Sequence, residues 1–129
     1  VLETRPEPLR DAGLSRSKLK AIRDLASRLS SGDLALDDLA HQPDEEVLRR
    51  LTTVWGIGTW TARMYLMFRL HRPNVWPVGD LGVRQGFARA QGLEAVPSAA
   101  ELESMGDAYR PWRSVLAFYC WRILETELP

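Results

Sequence analysis

The sequence predicts an all-α fold, built as a helical bundle, and three observations support this prediction. Apolar residues recur at three- and four-residue intervals in several segments, residues that commonly cap helices precede those segments, and no stretch alternates apolar and polar residues as a strand does. A chain of 129 residues can bury one hydrophobic core. We therefore expect residues 1–129 to form a single all-α unit.

The first half of the chain contains two predicted helices. Ser15 is placed to cap a helix that runs to Ser31, where Gly32 ends it. Its apolar face, which we expect to pack on a core and on a segment outside this chain, consists of Leu19, Ile22, Leu25, Ala26 and Leu29. The second helix starts at Pro43, has acidic residues in its first turn, and should end near Thr53.

The second half contains four predicted helices. One covers residues 59–71 and another covers residues 80–91. Ser98 and Glu101 form a capping box for a third, short helix. The last helix begins around Pro111, and its apolar face, for which we expect a core role, consists of Val115, Leu116, Tyr119, Ile123 and Leu124.

Composition limits the classes of function. No run of about eighteen apolar residues exists and the first residues do not form a signal peptide, so we expect neither membrane association nor secretion, and a place of action inside the cell. The single cysteine, Cys120, rules out an internal disulfide and a four-cysteine zinc or iron–sulfur site within this chain. We expect it to be a buried, inert thiol.

Charge is unevenly distributed although the 17 basic and 17 acidic residues cancel. Between residues 49 and 92, Asp80 is the single acid among the arginines Arg49, Arg50, Arg63, Arg69, Arg72, Arg84 and Arg89. A basic surface of this kind suits a phosphate backbone, although arginines also occur on ordinary exposed helix faces.

The segment LTTVWGIGTWTA, residues 51–62, joins two predicted helices through a short glycine turn. Gly56 and Gly58 allow backbone conformations that other residues avoid, so that consecutive amides can approach a phosphate. Glycine turns also join helices that bind nothing. A structural bundle with an incidental glycine turn therefore remains an alternative, which an absence of salt-dependent DNA affinity would favour.

The segment WPVGDLGVRQG, residues 76–86, places Asp80 at the start of a predicted helix. An aspartate there commonly acts only as an N-cap. Together with the glycine turn, however, the segment resembles the HhH-GPD superfamily of DNA glycosylases, in which a helix-hairpin-helix is followed by a Gly/Pro-rich loop and an essential aspartate. The resemblance implies that Asp80 is the catalytic residue, whose carboxylate stabilises the positive charge on the sugar and orients or deprotonates the attacking water.

The same resemblance implies that the hairpin binds double-stranded DNA containing damaged bases. The DNA-contacting residues would be Gly56, Ile57, Gly58, Thr59, Thr61 and Arg84. The backbone carbonyls of Thr52, Val54 and Ile57 would bind a structural Na⁺ or K⁺ when DNA is bound, with no other cofactor and no iron–sulfur cluster. A non-catalytic DNA-binding hairpin module remains an alternative, which has no need of the loop that carries Asp80.

Two further features refine the resemblance. Superfamily members that also cut the DNA strand have a lysine where this chain has Trp60, so the resemblance implies a monofunctional hydrolase without lyase activity. The segment Tyr109–Ser114, with its Pro-Trp-Arg-Ser signature, resembles the 3-methyladenine DNA glycosylase II (AlkA-like) subfamily. Matched positions imply a pocket for alkylated purines formed by Trp60, Trp121 and Met64.

The sequence is thus identified as the later part of a base-excision-repair glycosylase domain, since the resemblance covers roughly Leu9 to Trp121. We expect a monomer that acts in the cytoplasm and nucleoid, or in the nucleus of a eukaryote. Trp55 and Trp76 are interpreted as packing residues and Arg113 as structural.

Overall fold

The structure, a computed structural model, describes residues 1–126, and no strand occurs within that range. Its helices are α1 (Pro6–Asp11), α2 (Arg16–Ser31), α3 (Leu36–Leu39), α4 (Asp44–Leu51), α5 (Thr59–Met64), α6 (Leu81–Gln91), α7 (Ala99–Met105) and α8 (Arg113–Glu125). A π-helical turn, Tyr65–Arg69, follows α5, and a 3₁₀ turn, Gly106–Tyr109, follows α7. The prediction of an all-α fold is confirmed. The sequence did not predict α1, α3 or the two irregular turns.

The chain divides into two compact units, Val1–Ala62 and Arg63–Pro129. The buried apolar residues of the first are Leu19, Leu34, Leu39, Val47, Leu51, Val54 and Ala62. Those of the second are Leu66, Met67, Val75, Trp76, Val78, Val83, Phe87, Ala88, Leu102, Ala117 and Cys120. The expectation of a single unit over residues 1–129 stays a prediction.

Local capping signals set two helix boundaries as predicted. The Ser15 hydroxyl accepts a hydrogen bond from the backbone N–H of Lys18, and Gly32 ends α2 in the left-handed conformation, with φ of 83°. At the start of α7, the Ser98 hydroxyl accepts from the Glu101 N–H while the Glu101 carboxylate accepts from the Ser98 N–H. Each of these contacts satisfies a donor that a helix terminus would otherwise leave unpaired.

The apolar face predicted for α2 is only partly buried. Leu19 is buried and Leu25 and Ala26 are half-buried, but Ile22 and Leu29 are exposed. The core role is therefore confirmed for Leu19, whereas Ile22 and Leu29 are not part of the buried core of this chain. The expectation that a segment outside this chain covers this face stays a prediction.

Helix α8 packs on α6, and a glycine allows the close approach. A Cβ atom on Gly86 of α6 would clash with the backbone carbonyl of Cys120 on α8. Four residues of α8 are buried, namely Arg113, Ser114, Ala117 and Cys120. Small side chains let the two backbones come together, so the buried face of α8 is selected by size as well as by polarity.

The apolar face that the sequence predicted for α8 is consequently wrong in part. Val115 and Tyr119 are exposed at 43% and 70% of their surface, and Leu124 is also exposed. Leu116 and Ile123 are half-buried. The 3.6-residue pattern ranked large apolar side chains first, whereas the contact with α6 uses the smaller Ala117 and Cys120.

The thiol of Cys120 is buried at this contact, as predicted, and burial raises its pKa to about 11. The buried position predicted for Cys120 is confirmed, and the raised pKa favours the thiol form, which is less reactive than the thiolate.

Replacing Gly86 with alanine should destabilise the second unit, because the added Cβ cannot fit against the Cys120 carbonyl without separating α6 from α8. Overpacking of this kind costs about 1–3 kcal/mol. Urea unfolding followed by circular dichroism measures the loss. Gly79→Ala is the matched control, since a Cβ there meets nothing within 4 Å, and an equal loss in both variants would contradict the packing argument.

Candidate functional site

Asp80 caps α6 and has two N–H donors on one carboxylate oxygen. Its Oδ1 accepts a hydrogen bond from the backbone N–H of Val83 at 2.8 Å and from Nε1 of Trp121 at 2.9 Å. The side chain is half-buried, so part of it faces solvent. The two donors and the positive end of α6 all stabilise negative charge at this oxygen.

Gly82 makes room for the contact between Asp80 and Trp121. A Cβ on Gly82 would lie 3.0 Å from Cδ1 of Trp121 and 3.1 Å from Oδ1 of Asp80. Both distances are shorter than ordinary van der Waals contacts, so a larger residue would push the indole away from the carboxylate. Gly82 was not predicted as a site residue, because its proximity to Trp121 on another helix has no signature in the sequence.

Two phenylalanines contact the Trp121 ring. Phe68 lies nearly parallel to it, with ring centroids 6.1 Å apart and an interplanar angle of 18°. Phe118 meets it edge to face at 5.7 Å and also meets Phe68 edge to face at 5.5 Å. Phe68 is exposed at 56% of its surface and Phe118 is also exposed. Neither phenylalanine was predicted as a site residue, although Phe118 stands one helical turn before Trp121.

The loop that leads to Asp80 is held by hydrogen bonds from the first two residues of α8. The Ser114 hydroxyl donates to the carbonyl of Arg72 at 2.6 Å and accepts from the N–H of Val75 at 2.9 Å. The Arg113 guanidinium donates to the side chain and the carbonyl of Asn74 at 2.8 and 3.2 Å. The structural interpretation of Arg113 is thereby confirmed, because it is buried and bonded to this loop.

Trp76 completes the packing of this loop. It is buried, and its Nε1 donates to the carbonyl of Leu102 at 2.8 Å. Gly106 leaves space for the indole, since a Cβ there would clash with it. The prediction that Trp76 is a packing residue is confirmed.

Desolvation lowers the pKa of the buried Arg113 from its usual value, as does the nearby Arg110.

In the first unit, the turn between α4 and α5 is the hairpin that the sequence predicted. Gly56 has φ of +81°, a conformation that other residues rarely adopt, and a Cβ there would lie 2.9 Å from the Cβ of Ala21 on α2. Ile57 is half-buried, and its N–H donates to the carbonyl of Val54 at 3.1 Å. The other candidate DNA-contacting residues of this turn, Gly56, Gly58, Thr59 and Thr61, are exposed.

The carbonyl groups of the hairpin fit a monovalent cation in their chemistry. Within the described residues, the carbonyls of Thr52 and Ile57 take no backbone donor, and Val54 takes only the Ile57 N–H. A carbonyl oxygen has two lone pairs, so each of the three retains capacity for a cation. Neutral carbonyl oxygens are the ligands that K⁺ and Na⁺ accept in proteins.

Helix α2 supports the hairpin through Asp24. Its Oδ2 accepts from the backbone N–H of Trp55 at 2.7 Å and from Nε of Arg28 at 3.1 Å. The hydrogen bond from Trp55, followed by the one from Arg28, holds the pKa of this carboxyl below its usual value. The ammonium of Lys20 lies 4.3 Å from the centre of the Trp55 ring. These contacts had no signal in the sequence, since Asp24 and Trp55 are far apart in the chain.

Three other residues singled out from the sequence, Trp55, Trp60 and Arg84, are at least partly exposed. Trp55 is exposed at 41% of its surface, so its interpretation as a core packing residue is wrong; it lies on the hairpin turn, where α2 reaches only part of the ring. Trp60, in α5, is exposed at 52%. Arg84 is half-buried, and its Nη1 lies 3.4 Å from the carbonyl of Pro97.

The described part of the chain has neither a side-chain metal cluster nor a membrane-crossing helix. No group of three or more His, Cys, Asp or Glu side chains in residues 1–126 is placed to bind a metal ion. Each helix in the same range is too short or too polar to cross a bilayer.

Replacing Ser114 with alanine should destabilise the loop before Asp80, because the Val75 N–H is buried and loses its acceptor. A buried donor left unpaired costs about 1–3 kcal/mol. Urea unfolding measures the change. The exposed Ser104 provides a matched Ser→Ala control, which should lie within about 0.5 kcal/mol of the parent. A Ser114→Ala variant as stable as this control would contradict the role given to the hydroxyl.

Comparison with known proteins matches residues 1–111 to the HhH-GPD superfamily of base excision DNA repair proteins. DNA-3-methyladenine glycosylase 1 of Schizosaccharomyces pombe is 32% identical over 117 residues, which cover 90% of this chain and 51% of that protein. The chain therefore spans about half the length of this curated relative.

Solved structures of a 3-methyladenine DNA glycosylase and of a DNA-3-methyladenine glycosidase are also similar to this chain. The S. pombe 3-methyladenine DNA glycosylase in complex with abasic DNA superposes with a TM-score of 0.89 at 29% identity, covering 96% of this chain and 61% of that one. A DNA-3-methyladenine glycosidase from Bacillus halodurans superposes with a TM-score of 0.85 at 34% identity, covering 96% and 57%.

Proposed function

Because this chain belongs to the HhH-GPD superfamily of base excision DNA repair proteins, we propose that it is the aspartate-bearing part of a monofunctional DNA glycosylase that releases alkylated purines of the 3-methyladenine type. The observation that carries the proposal is the Asp80 carboxylate, which is oriented by Val83 and Trp121 and remains partly open to solvent. The substrate class comes from the relatives that are named for 3-methyladenine.

In the proposed reaction, the bond between C1′ of the deoxyribose and the base nitrogen breaks, and its electron pair leaves with the base. Asp80 stabilises the positive charge that develops on the sugar. The oxygen of a water molecule then bonds to C1′, and the proton that it loses passes to Asp80 or to solvent. An alkylated purine that carries a positive charge departs as a neutral base, so it needs no strong acid on the protein.

The aromatic residues around Asp80 suit such a base. Trp121 uses its N–H on Asp80 and offers a ring held by Phe68 and Phe118, and an electron-poor purine stacks favourably on an indole. Within the second unit we propose Trp121 and Met64 as pocket residues, with Phe68 and Phe118 extending the aromatic surface. Trp60 of the first unit is proposed as a contact of the base from the resemblance alone. The target base would reach them after rotating out of the duplex.

The hairpin is the proposed contact with the DNA backbone. Gly56 and Gly58 expose backbone amides without a side chain in front of them, and Ile57, Thr59 and Thr61 flank them. The carbonyls of Thr52, Val54 and Ile57 would hold Na⁺ or K⁺, and such a cation supplies positive charge for a DNA phosphate when bound. Arg84 is a further proposed phosphate contact. The protein would act in whichever compartment holds its DNA.

Replacing Asp80 with asparagine in the full-length protein should lower base release about 10³-fold or more, because the neutral amide cannot stabilise positive charge on the sugar. The amide oxygen still accepts from Val83 and Trp121, so the helix cap and the fold should persist. Release of methylated base from methylated DNA is the measurement, with uracil- and hypoxanthine-containing duplexes alongside to define the substrate class.

The control for this variant is Asp37→Asn, in the first turn of α3, which removes an exposed carboxylate elsewhere. It should release base at the parental rate. Both variants should bind DNA with nearly parental affinity. Undiminished release by the Asp80→Asn variant would refute the catalytic assignment.

A second prediction concerns the absence of strand cleavage. Lys18 and Lys20, both on α2, are the only lysines of this chain, and Trp60 stands where lyase members have a lysine. Incubation with substrate DNA and borohydride should therefore trap no covalent complex. A Schiff-base-forming glycosylase treated in parallel verifies the reagent. A trapped adduct of this protein would overturn the monofunctional assignment.

A further inference from the structure

The peptide group between Val54 and Trp55 is held in place from α2. Its N–H donates to the Asp24 carboxylate at 2.7 Å. Asp24 also pairs with Arg28, four residues later on the same helix, at 3.1 Å. A charged acceptor at this distance makes a strong hydrogen bond, so the orientation of this peptide group is tightly defined.

The geometry of a peptide group transfers this constraint to the carbonyl of Val54. The N–H of Trp55 and the C=O of Val54 belong to one planar unit and point in opposite directions. Asp24 therefore determines where the Val54 oxygen points, although it does not contact that oxygen. Val54 is one of the three carbonyls proposed for the cation, and its second lone pair remains after the bond from Ile57.

We infer that Asp24 is a positioning residue for the cation site of the hairpin, acting through the Val54–Trp55 peptide group. This inference rests on the proposed function, since it concerns how the hairpin binds DNA. Two effects contribute. The carboxylate orients the carbonyl, and it polarises the peptide group so that the Val54 oxygen becomes a better cation ligand. Carboxylates behind metal-bound imidazoles act in the same way.

Other contacts between α2 and the hairpin are consistent with this role. The Cα of Gly56 lies so close to Ala21 that a Cβ would stand 2.9 Å from the alanine methyl group. Lys20 lies 4.3 Å from the centre of the Trp55 ring. Trp55 and Gly56 are therefore in contact with α2, and Asp24 is the α2 residue that accepts the N–H of the Val54–Trp55 peptide.

The test compares cations as well as variants. The affinity of the full-length protein for a duplex with a stable abasic-site analogue is measured in KCl and in tetramethylammonium chloride at equal ionic strength. The parent protein should bind more tightly in KCl, since the bulky cation cannot enter a ring of carbonyls. Asp24→Ala should lose about tenfold in KCl, the lower end of the loss expected when an outer partner of a metal ligand is removed. Its affinity in tetramethylammonium should stay parental.

Arg28→Ala is the matched control, because it removes the ion pair but leaves the Asp24–Trp55 hydrogen bond. It should retain the preference for KCl. Asp24→Asn, which keeps an oxygen acceptor without the charge, should give an intermediate preference. Thermal unfolding of each variant, recorded without DNA, reports its stability.

Three outcomes would overturn the inference. They are an unchanged KCl preference in Asp24→Ala, an equal loss of affinity in both salts, and the same loss in Arg28→Ala as in Asp24→Ala. The base-release assay separates these failures from that of the proposed function. A parent protein that releases base while Asp24→Ala keeps its cation preference removes only the role of Asp24. A parent protein that neither releases base nor binds DNA removes both.

Discussion

The pair of hydrogen bonds on Oδ1 of Asp80 links the start of α6 to Trp121 of α8. One donor, the Val83 N–H, is available because Asp80 caps α6, and it requires only local structure. The other, Nε1 of Trp121, comes from α8 and requires that helix to lie close to α6. Gly82 and Gly86 both serve this approach, the first beside the indole and the second against the Cys120 carbonyl. The chemistry at one carboxylate oxygen is thus coupled to the packing of two helices.

The Pro-Trp-Arg-Ser segment has a physical explanation in the same terms. Arg113 and Ser114 bond to the backbone of the loop before Asp80, and α8, which begins with these residues, carries Trp121 eight positions later. Helix α8 therefore both holds the loop before Asp80 and supplies the Trp121 ring beside the carboxylate. The segment that resembles a subfamily signature in the sequence thus supplies, in the structure, hydrogen bonds to the loop before Asp80.

Features that neighbouring residues determine could be predicted from the sequence, whereas features that depend on distant contacts could not. The capped start of α2, the capping box of α7 and the N-cap position of Asp80 each follow from a few neighbouring residues. The buried face of α8 does not, because it is decided by how closely the backbones of α6 and α8 approach. Phe68 was missed for a related reason, since its value lies in a ring contact with Trp121 rather than in any spacing.

The hairpin illustrates why side-chain identity there is a poor guide to function. Its proposed ligands are backbone amides and carbonyls, so the sequence must supply a left-handed glycine at position 56 and support from α2 rather than particular ligating side chains. Trp55 donates through its backbone to Asp24 while much of its ring is exposed. Many residues could donate the same N–H, so the tryptophan itself is not what the hairpin needs. What must persist is a carboxylate or an equivalent acceptor at position 24, because the orientation of the Val54 carbonyl follows from it.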